Sequence, residues 1–461
     1  MLSLLLAASL AASPTPRALP GAEPTLFVPR LDQLGGVLAF LEHAGDSSVA
    51  LRPSTWRDDL IPLLQVDPTR PESLATAGID PAGPATISIL GDDQVTCLGL
   101  KDAKAFEARA QKALAARGEP WKGKAQGVAL VGIKSGKDVV AGYALRGGEA
   151  CVAQGPDSET HLQDAARQLV KPSLAPTFKG LAGLPGAAFV VTSRGVVGLS
   201  GDVNALQAEA RTTRLPLPPL RSGGEGPYVG VAPSGLVFAR TQLEPSAYPR
   251  AMGALEYQVS RGCPACDRSK MAEITSALTK YLTGHVLARV DRVQPGGTMR
   301  TVTGRYFALK HAYLAEVSKP EEARALLAPL ASWPNARKAD DGFVITTPEG
   351  EISVGVRGAQ LYLGNDAEAL KAAFDTVAGD KRARLAHGAE VFVEPKKVAR
   401  GLAKISLLDA LGSRELAGLL AVATELGPLF AASESLTGWI DSAGAGGHRV
   451  SASWKLPPAP P

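Results

Sequence analysis

Two cysteines separated by two residues, Cys263 and Cys266 in the stretch RGCPACDRSK, are where residue types and spacing in this sequence first suggest chemistry. Such a pair can act as a redox dithiol, supply half of a metal site, or close a local disulfide. A helix is expected directly after it, in DRSKMAEITSALTKYL, and a helix N-terminus activates a thiol by lowering its pKa. Against redox work, no Trp precedes Cys263, and the surroundings do not resemble a thioredoxin fold. Haem attachment needs Cys-His, and here Asp267 follows. A closed zinc site needs four Cys or His ligands, usually as two close pairs. His285 is the nearest histidine, and His43, His161, His311, His387 and His448 stand singly. The spacing therefore points to a structural disulfide between Cys263 and Cys266. Cys97 and Cys151 remain, both on expected strands of one module, and are expected to form a second bridge. No catalytic residue, metal or cofactor is expected.

Other arrangements carry less. Nucleophilic hydrolysis needs a serine on a sharp turn, and GLSGD (198 to 202) fails the G-x-S-x-G spacing. No G-x-G-x-x-G follows a strand. Asp58-Asp59, Asp92-Asp93 and Asp340-Asp341 read as helix-start or turn acids in solvent. The stripe Leu416, Leu419, Leu420, Ala423, Leu426 has helical spacing and reads as core, because its flanks lack the basic face of a membrane-surface helix.

The elements that must position these residues begin with a leader. Leu2 to Ala12 is an apolar run, closed by Pro14 and Pro16, which is the pattern of a secretory signal ending near residue 20. No later run of about 20 uncharged apolar residues suggests a membrane span. The chain has 461 residues, 45% apolar and 20% charged, with 49 basic against 45 acidic side chains. That near balance argues against a nucleic-acid partner, and the length allows a large core.

Beyond the leader, one order of elements occurs twice. PATISILGDDQVTCLGL (84 to 100) is an expected hairpin. A helix follows, then GVALVGIKS, KDVVAGYALRG and EACVAQG as strands, a helix near 157 to 170, and the strand GAAFVVTSRG. In the second half RYFALKHAYLAEV (305 to 317) is again read as a hairpin, followed by a helix, three strands, a helix and a strand. YALRGGEACVA (143 to 153) sets over VGVRGAQLYLG (354 to 364), bringing Arg146 onto Arg357 and Cys151 onto Tyr362. PGAAFVV (185 to 191) sets over HGAEVFV (387 to 393), bringing Val191 onto Val393. The expected domains are a signal over 1–20, a first half over 21–215, a linker or hairpin over 216–235, a second half over 236–456 and a disordered tail over 457–461. Hairpins with helices between them imply an α+β fold: two related tandem halves, each an antiparallel or mixed sheet with helices packed on one face.

SLATAGIDPAGPATISI (73 to 89), VTCLGLKDAKAFEARAQKAL (95 to 114) and GAQLYLGNDAEALKAAF (358 to 374) resemble exported bacterial proteins that carry a duplicated α+β domain of unknown function. The resemblance covers about a fifth of the chain and assigns no site residue. The expectation is an exported, periplasmic or cell-surface protein that binds or scaffolds an envelope ligand or protein. A cleft between the halves is the expected ligand site. The rival readings are a thiol-disulfide oxidoreductase using Cys263 and Cys266, and a hydrolase with an unrecognised site.

Overall fold

A computed structural model describes residues 16–459 apart from 62, 173–180, 182, 213–217, 254–255, 257–266, 294–308, 348–349, 378–381, 405–423 and 444–446. The chain divides into two units, residues 1–214 with 458–461, and residues 215–457.

Alternating apolar residues and tight turns give the first unit ten strands: β1 (Thr25–Val28), β2 (Ala85–Leu90), β3 (Asp93–Gly99), β4 (Glu119–Ala125), β5 (Val128–Ser135), β6 (Asp138–Arg146), β7 (Glu149–Gln154), β8 (Ala188–Thr192), β9 (Gly195–Asp202) and β10 (Ala205–Thr212). They pair antiparallel in the order β4-β5-β6-β7-β3-β2-β1-β8-β9-β10. Five helices cover the sheet: α1 (Gly35–Gly45), α2 (Pro53–Leu60), α3 (Pro71–Thr76), α4 (Ala103–Ala115) and α5 (Ser158–Val170). Where the sequence suggests helices on one face, they lie on both. Period-2 alternation in β7 sends Cys151 toward α5, in a core with Leu162, Ala165 and Ala166. It sends Val152 toward α1 to α4, in a core with Leu38, Leu74 and Phe106.

The second unit has the short strands β11 (Glu225–Gly226) and β19 (Ala383–Arg384), which pair with each other. Its main sheet has β12 (Val237–Gln242), β13 (Leu282–Val293), β14 (Leu309–Val317), β15 (Ala336–Ala339), β16 (Gly342–Thr347), β17 (Gly350–Arg357), β18 (Gln360–Gly364), β20 (Ala389–Val393), β21 (Ser435–Ser442) and β22 (His448–Lys455). The order is β15-β16-β17-β18-β14-β13-β12-β20-β21-β22, again antiparallel. Position by position this is the strand order of the first unit. Its helices include α6 (Arg268–Leu278), α7 (Pro320–Leu327), α8 (Ala367–Val377) and α9 (Pro395–Leu402). Asp267 caps α6, its carboxylate accepting from Ser269 N and Lys270 N.

Arg146 and Arg357 end equivalent strands, β6 and β17. Each is followed by a two-residue turn whose first residue is a positive-φ glycine, Gly147 at 60° and Gly358 at 55°. From these turns the cross-strand register can be followed through each sheet. Cys151, Cys97, Thr86, Phe27 and Phe189 form one row. The matching row is Tyr362, Leu314, Leu287, Arg240 and Glu390. The sequence match of Val191 with Val393 is therefore out by one: the register places Phe392 there, and a one-residue slip exchanges the two faces of a strand.

Several boundaries are corrected. RYFALKHAYLAEV is not a hairpin in its described part, since Leu309–Val317 is the single strand β14, whose partners are β13 and β18. Strands β4 and β15, unread in the sequence, form edges rich in Lys and Arg. Residues 16–20 do not belong to a detached leader: Ala18 and Leu19 are buried, and Arg17 pairs with Glu149 at 2.6 Å. The 216–235 stretch is not a plain linker, because Leu220 and Tyr228 are buried in second-unit cores. The tail is held in part, with Ala459 N donating to Asn204 Oδ1 at 2.9 Å.

Candidate functional site

Six equivalent strand positions face the side of each sheet away from α5 and α8. In the first unit they are Ala85, Thr96, Leu98, Tyr143, Ala150 and Val152. The connection from β1 to β2, residues 29–84, covers this face and fills it with Leu31, Leu34, Val37, Leu38, Ile61 and Leu64. Thr96 gives its hydroxyl to Leu60 O at 3.3 Å. In the second unit the same positions are Val286, Tyr313, Ala315, Val354, Leu361 and Leu363, and all six line a cavity of about 370 Å3. Its other described walls come from the shorter connection from β12 to β13, chiefly Met252, Met271, Ile274 and Leu278, together with Leu327 of α7. The size and the apolar lining are those of a small-ligand site.

Polar groups are few there. The Thr275 hydroxyl is turned back onto Met271 O at 3.0 Å. Tyr313 is 39% exposed, and the partial burial of its phenol raises its pKa. No carboxylate, histidine or lysine is among the described lining residues. Such walls can hold an apolar group by burial.

Elsewhere in the second unit, Glu316 is buried against Arg382 and Thr283, whose Oγ1 donates to Glu316 Oε2 at 2.8 Å. Burial pushes this carboxyl upward, and the guanidinium and hydroxyl outweigh it to hold the pKa below the usual value. Neighbouring His285 is pushed down, mainly by burial. Glu316 and Arg382 form an ion pair in which the carboxylate is buried and the guanidinium half-exposed.

Among the described residues, two histidines meet carboxylates at hydrogen-bond distance. His161 Nε2 lies 2.9 Å from Asp93 Oδ2, and His387 Nδ1 lies 2.9 Å from Asp441 Oδ2. The His387 ring also stacks on Trp439, centroids 4.1 Å apart. Among the described residues no Ser, Thr or Cys is hydrogen-bonded to either ring. Asp93 is not a solvated turn acid: it is 4% exposed, and its Oδ2 also accepts Asp157 N at 3.1 Å. Asp93, Asp157 and His161 bring one ligand atom each within 4.8 Å of the others. Asp157 and His161 are four apart at the start of a helix, a signal visible in the sequence. Asp93 is 64 residues from Asp157, which only the fold reveals.

Cys97 and Cys151 are bonded. Cys263 and Cys266 lie outside the described residues. Among those described, no helix is long and apolar enough to cross a membrane.

No protein-family model matches the chain, and no curated protein matches it. Among solved structures, crystal form I of TP0453 aligns with 79% of this chain and 98% of its own, at 9% identity and a TM-score of 0.22. A likeness of that degree transfers neither fold nor role.

Proposed function

We propose that this is an exported, non-enzymatic cell-envelope protein that holds an apolar ligand in the second unit, under α6. The carrying observation is the contrast between units. Equivalent strand positions are filled by the protein's own Leu, Ile and Val in the first unit and line a cavity of about 370 Å3 in the second. At about 30 Å3 for each carbon- or water-sized group, the space suits about a dozen methylenes. A single acyl chain of that length is the ligand class that fits, with Tyr313 as the exposed aromatic group beside it. The expected site was a cleft between the halves; the cavity proposed here belongs to one unit. Two observations support export. An apolar leader opens the sequence, and the Cys97–Cys151 bond suits an oxidising compartment. The matching strand orders further support origin by tandem duplication.

Dodecanoate is the test ligand, followed by displacement of a small apolar fluorophore such as 1-aminoanthracene. Wild-type protein should enhance the fluorescence, and dodecanoate should reverse it. Ala315→Phe puts a ring into the cavity and should abolish both effects with unchanged circular dichroism. Equal binding by wild type and a folded Ala315→Phe variant, or no binding by wild type, removes the proposal.

A further inference from the structure

The first unit carries a cluster that the ligand pocket does not use. Asp93 opens β3 and is almost wholly buried. Asp157 and His161 stand one helical turn apart at the start of α5, the spacing at which side chains share a face. A Cβ on Gly155 would overlap Asp93 Oδ1, and Gly155 has φ +134°, so glycine lets the loop before α5 close over the carboxyl.

Charge and hydrogen bonding are both left over. Asp93 Oδ1 and His161 Nδ1 are buried without hydrogen-bond partners. Asp93 and Asp157 have ligand atoms within 4.8 Å of each other, and among the described residues neither is paired with Lys or Arg. Two carboxylates so placed repel unless a proton or a cation lies between them.

The second unit ties the equivalent helix to its sheet with different groups. In the second unit Asn365 performs that task before α8: its Oδ1 accepts His311 N at 3.0 Å and its Nδ2 donates to Leu309 O at 2.8 Å. Arg292 on β13 adds ion pairs to Asp366 at 2.8 Å and Glu368 at 2.7 Å, so the acids at that helix start are met by a guanidinium. The first unit instead assembles two carboxylates and an imidazole.

We propose that Asp93, Asp157 and His161 bind a divalent transition-metal cation of the Zn2+ class. One imidazole nitrogen and two carboxylate oxygens are a donor set this ion accepts, with water completing the coordination. Exposed Asp157 gives the approach from solvent. The cation would join β3 to α5 and neutralise both acids.

The test uses full-length, metal-stripped protein carrying Cys263→Ser and Cys266→Ser, so that those thiols cannot bind the probe. Zn2+ is titrated by calorimetry, and the melting temperature is read with and without it. One Zn2+ should bind and raise the melting temperature, and millimolar Ca2+ should not reproduce the effect. Asp157→Asn separates clamp from metal site, because Asp157 enters the clamp through its backbone N–H, which donates to Asp93 Oδ2. This variant should keep its metal-free melting temperature and lose affinity by at least about tenfold. His161→Gln should abolish binding. Failure to bind Zn2+, or equal affinity in a folded Asp157→Asn variant, overturns the proposal and leaves a structural clamp.

Discussion

Cys97 stands directly across from Cys151 on β3 and β7, Cα atoms 3.9 Å apart, and the two sulfurs are bonded over a sequence separation of 54. At the equivalent crossing of the second unit, Leu314 faces Tyr362. One sheet joins the crossing covalently and the other by packing. The link restricts the unfolded chain, so replacing both cysteines by Ala should cost about 4 kcal/mol by loop entropy. Denaturant titrations of the oxidised protein and the double variant measure this. Equal midpoints would show that the bond contributes nothing.

Farther along the same rows, Phe27 stacks on Phe189 in one unit, and Arg240 pairs with Glu390 at 2.6 Å in the other. The partners of this ion pair are unequal. Arg240 also donates to the carbonyls of Tyr228 and Val229. Arg240→Ala strands a largely buried carboxylate and two carbonyls and should cost about 3–5 kcal/mol. Glu390→Ala leaves the guanidinium with carbonyl acceptors and should cost distinctly less. Urea unfolding of both variants checks the order, and a reversed order contradicts the assignment.

The ion pair also shows what the sequence concealed. The Arg146 and Arg357 turns are legible because a positive-φ glycine after an alternating strand leaves a local mark. Those turns give the repeat at one end of each sheet. The match at Val191 and Val393 slipped by one because only cross-strand pairing fixes which face a residue occupies. Asp93 read as a turn acid since its burial comes from α5, far along the chain. The apolar cavity had no local mark at all: it lies among side chains that read individually as ordinary core.

The leader boundary offers a separate test. Arg17 N donates to Thr86 Oγ1 at 3.0 Å, Leu19 N donates to Ser88 Oγ at 3.2 Å, and the Leu19 side chain is buried. A chain beginning at Gly21 loses these contacts and should be less stable than one beginning at Pro16 by at least about 2 kcal/mol, the worth of one buried leucine. Thermal unfolding of the two chains decides. Equal stability would restore residue 20 as the boundary.

Acid should weaken the second unit through His311. Burial pushes its imidazole from 6.5 down to about 4. The unfolded chain therefore takes up this proton near pH 6.5, and the folded chain resists until about pH 4. Above pH 6.5 both states are neutral here and stability is flat. As pH falls from 6.5 to 4, the unfolded state binds more protons and stability declines. The gap of about 2.5 pH units corresponds to about 3 kcal/mol at the acid end. Buried His285 shifts in the same direction and adds to the slope. Glu316, held below its usual pKa, contributes stability that is lost only at still lower pH. Denaturant midpoints at pH 7.5 and 4.5 should differ clearly in the wild type and by less in His311→Asn. An undiminished difference in that variant would move the acid sensitivity to another group.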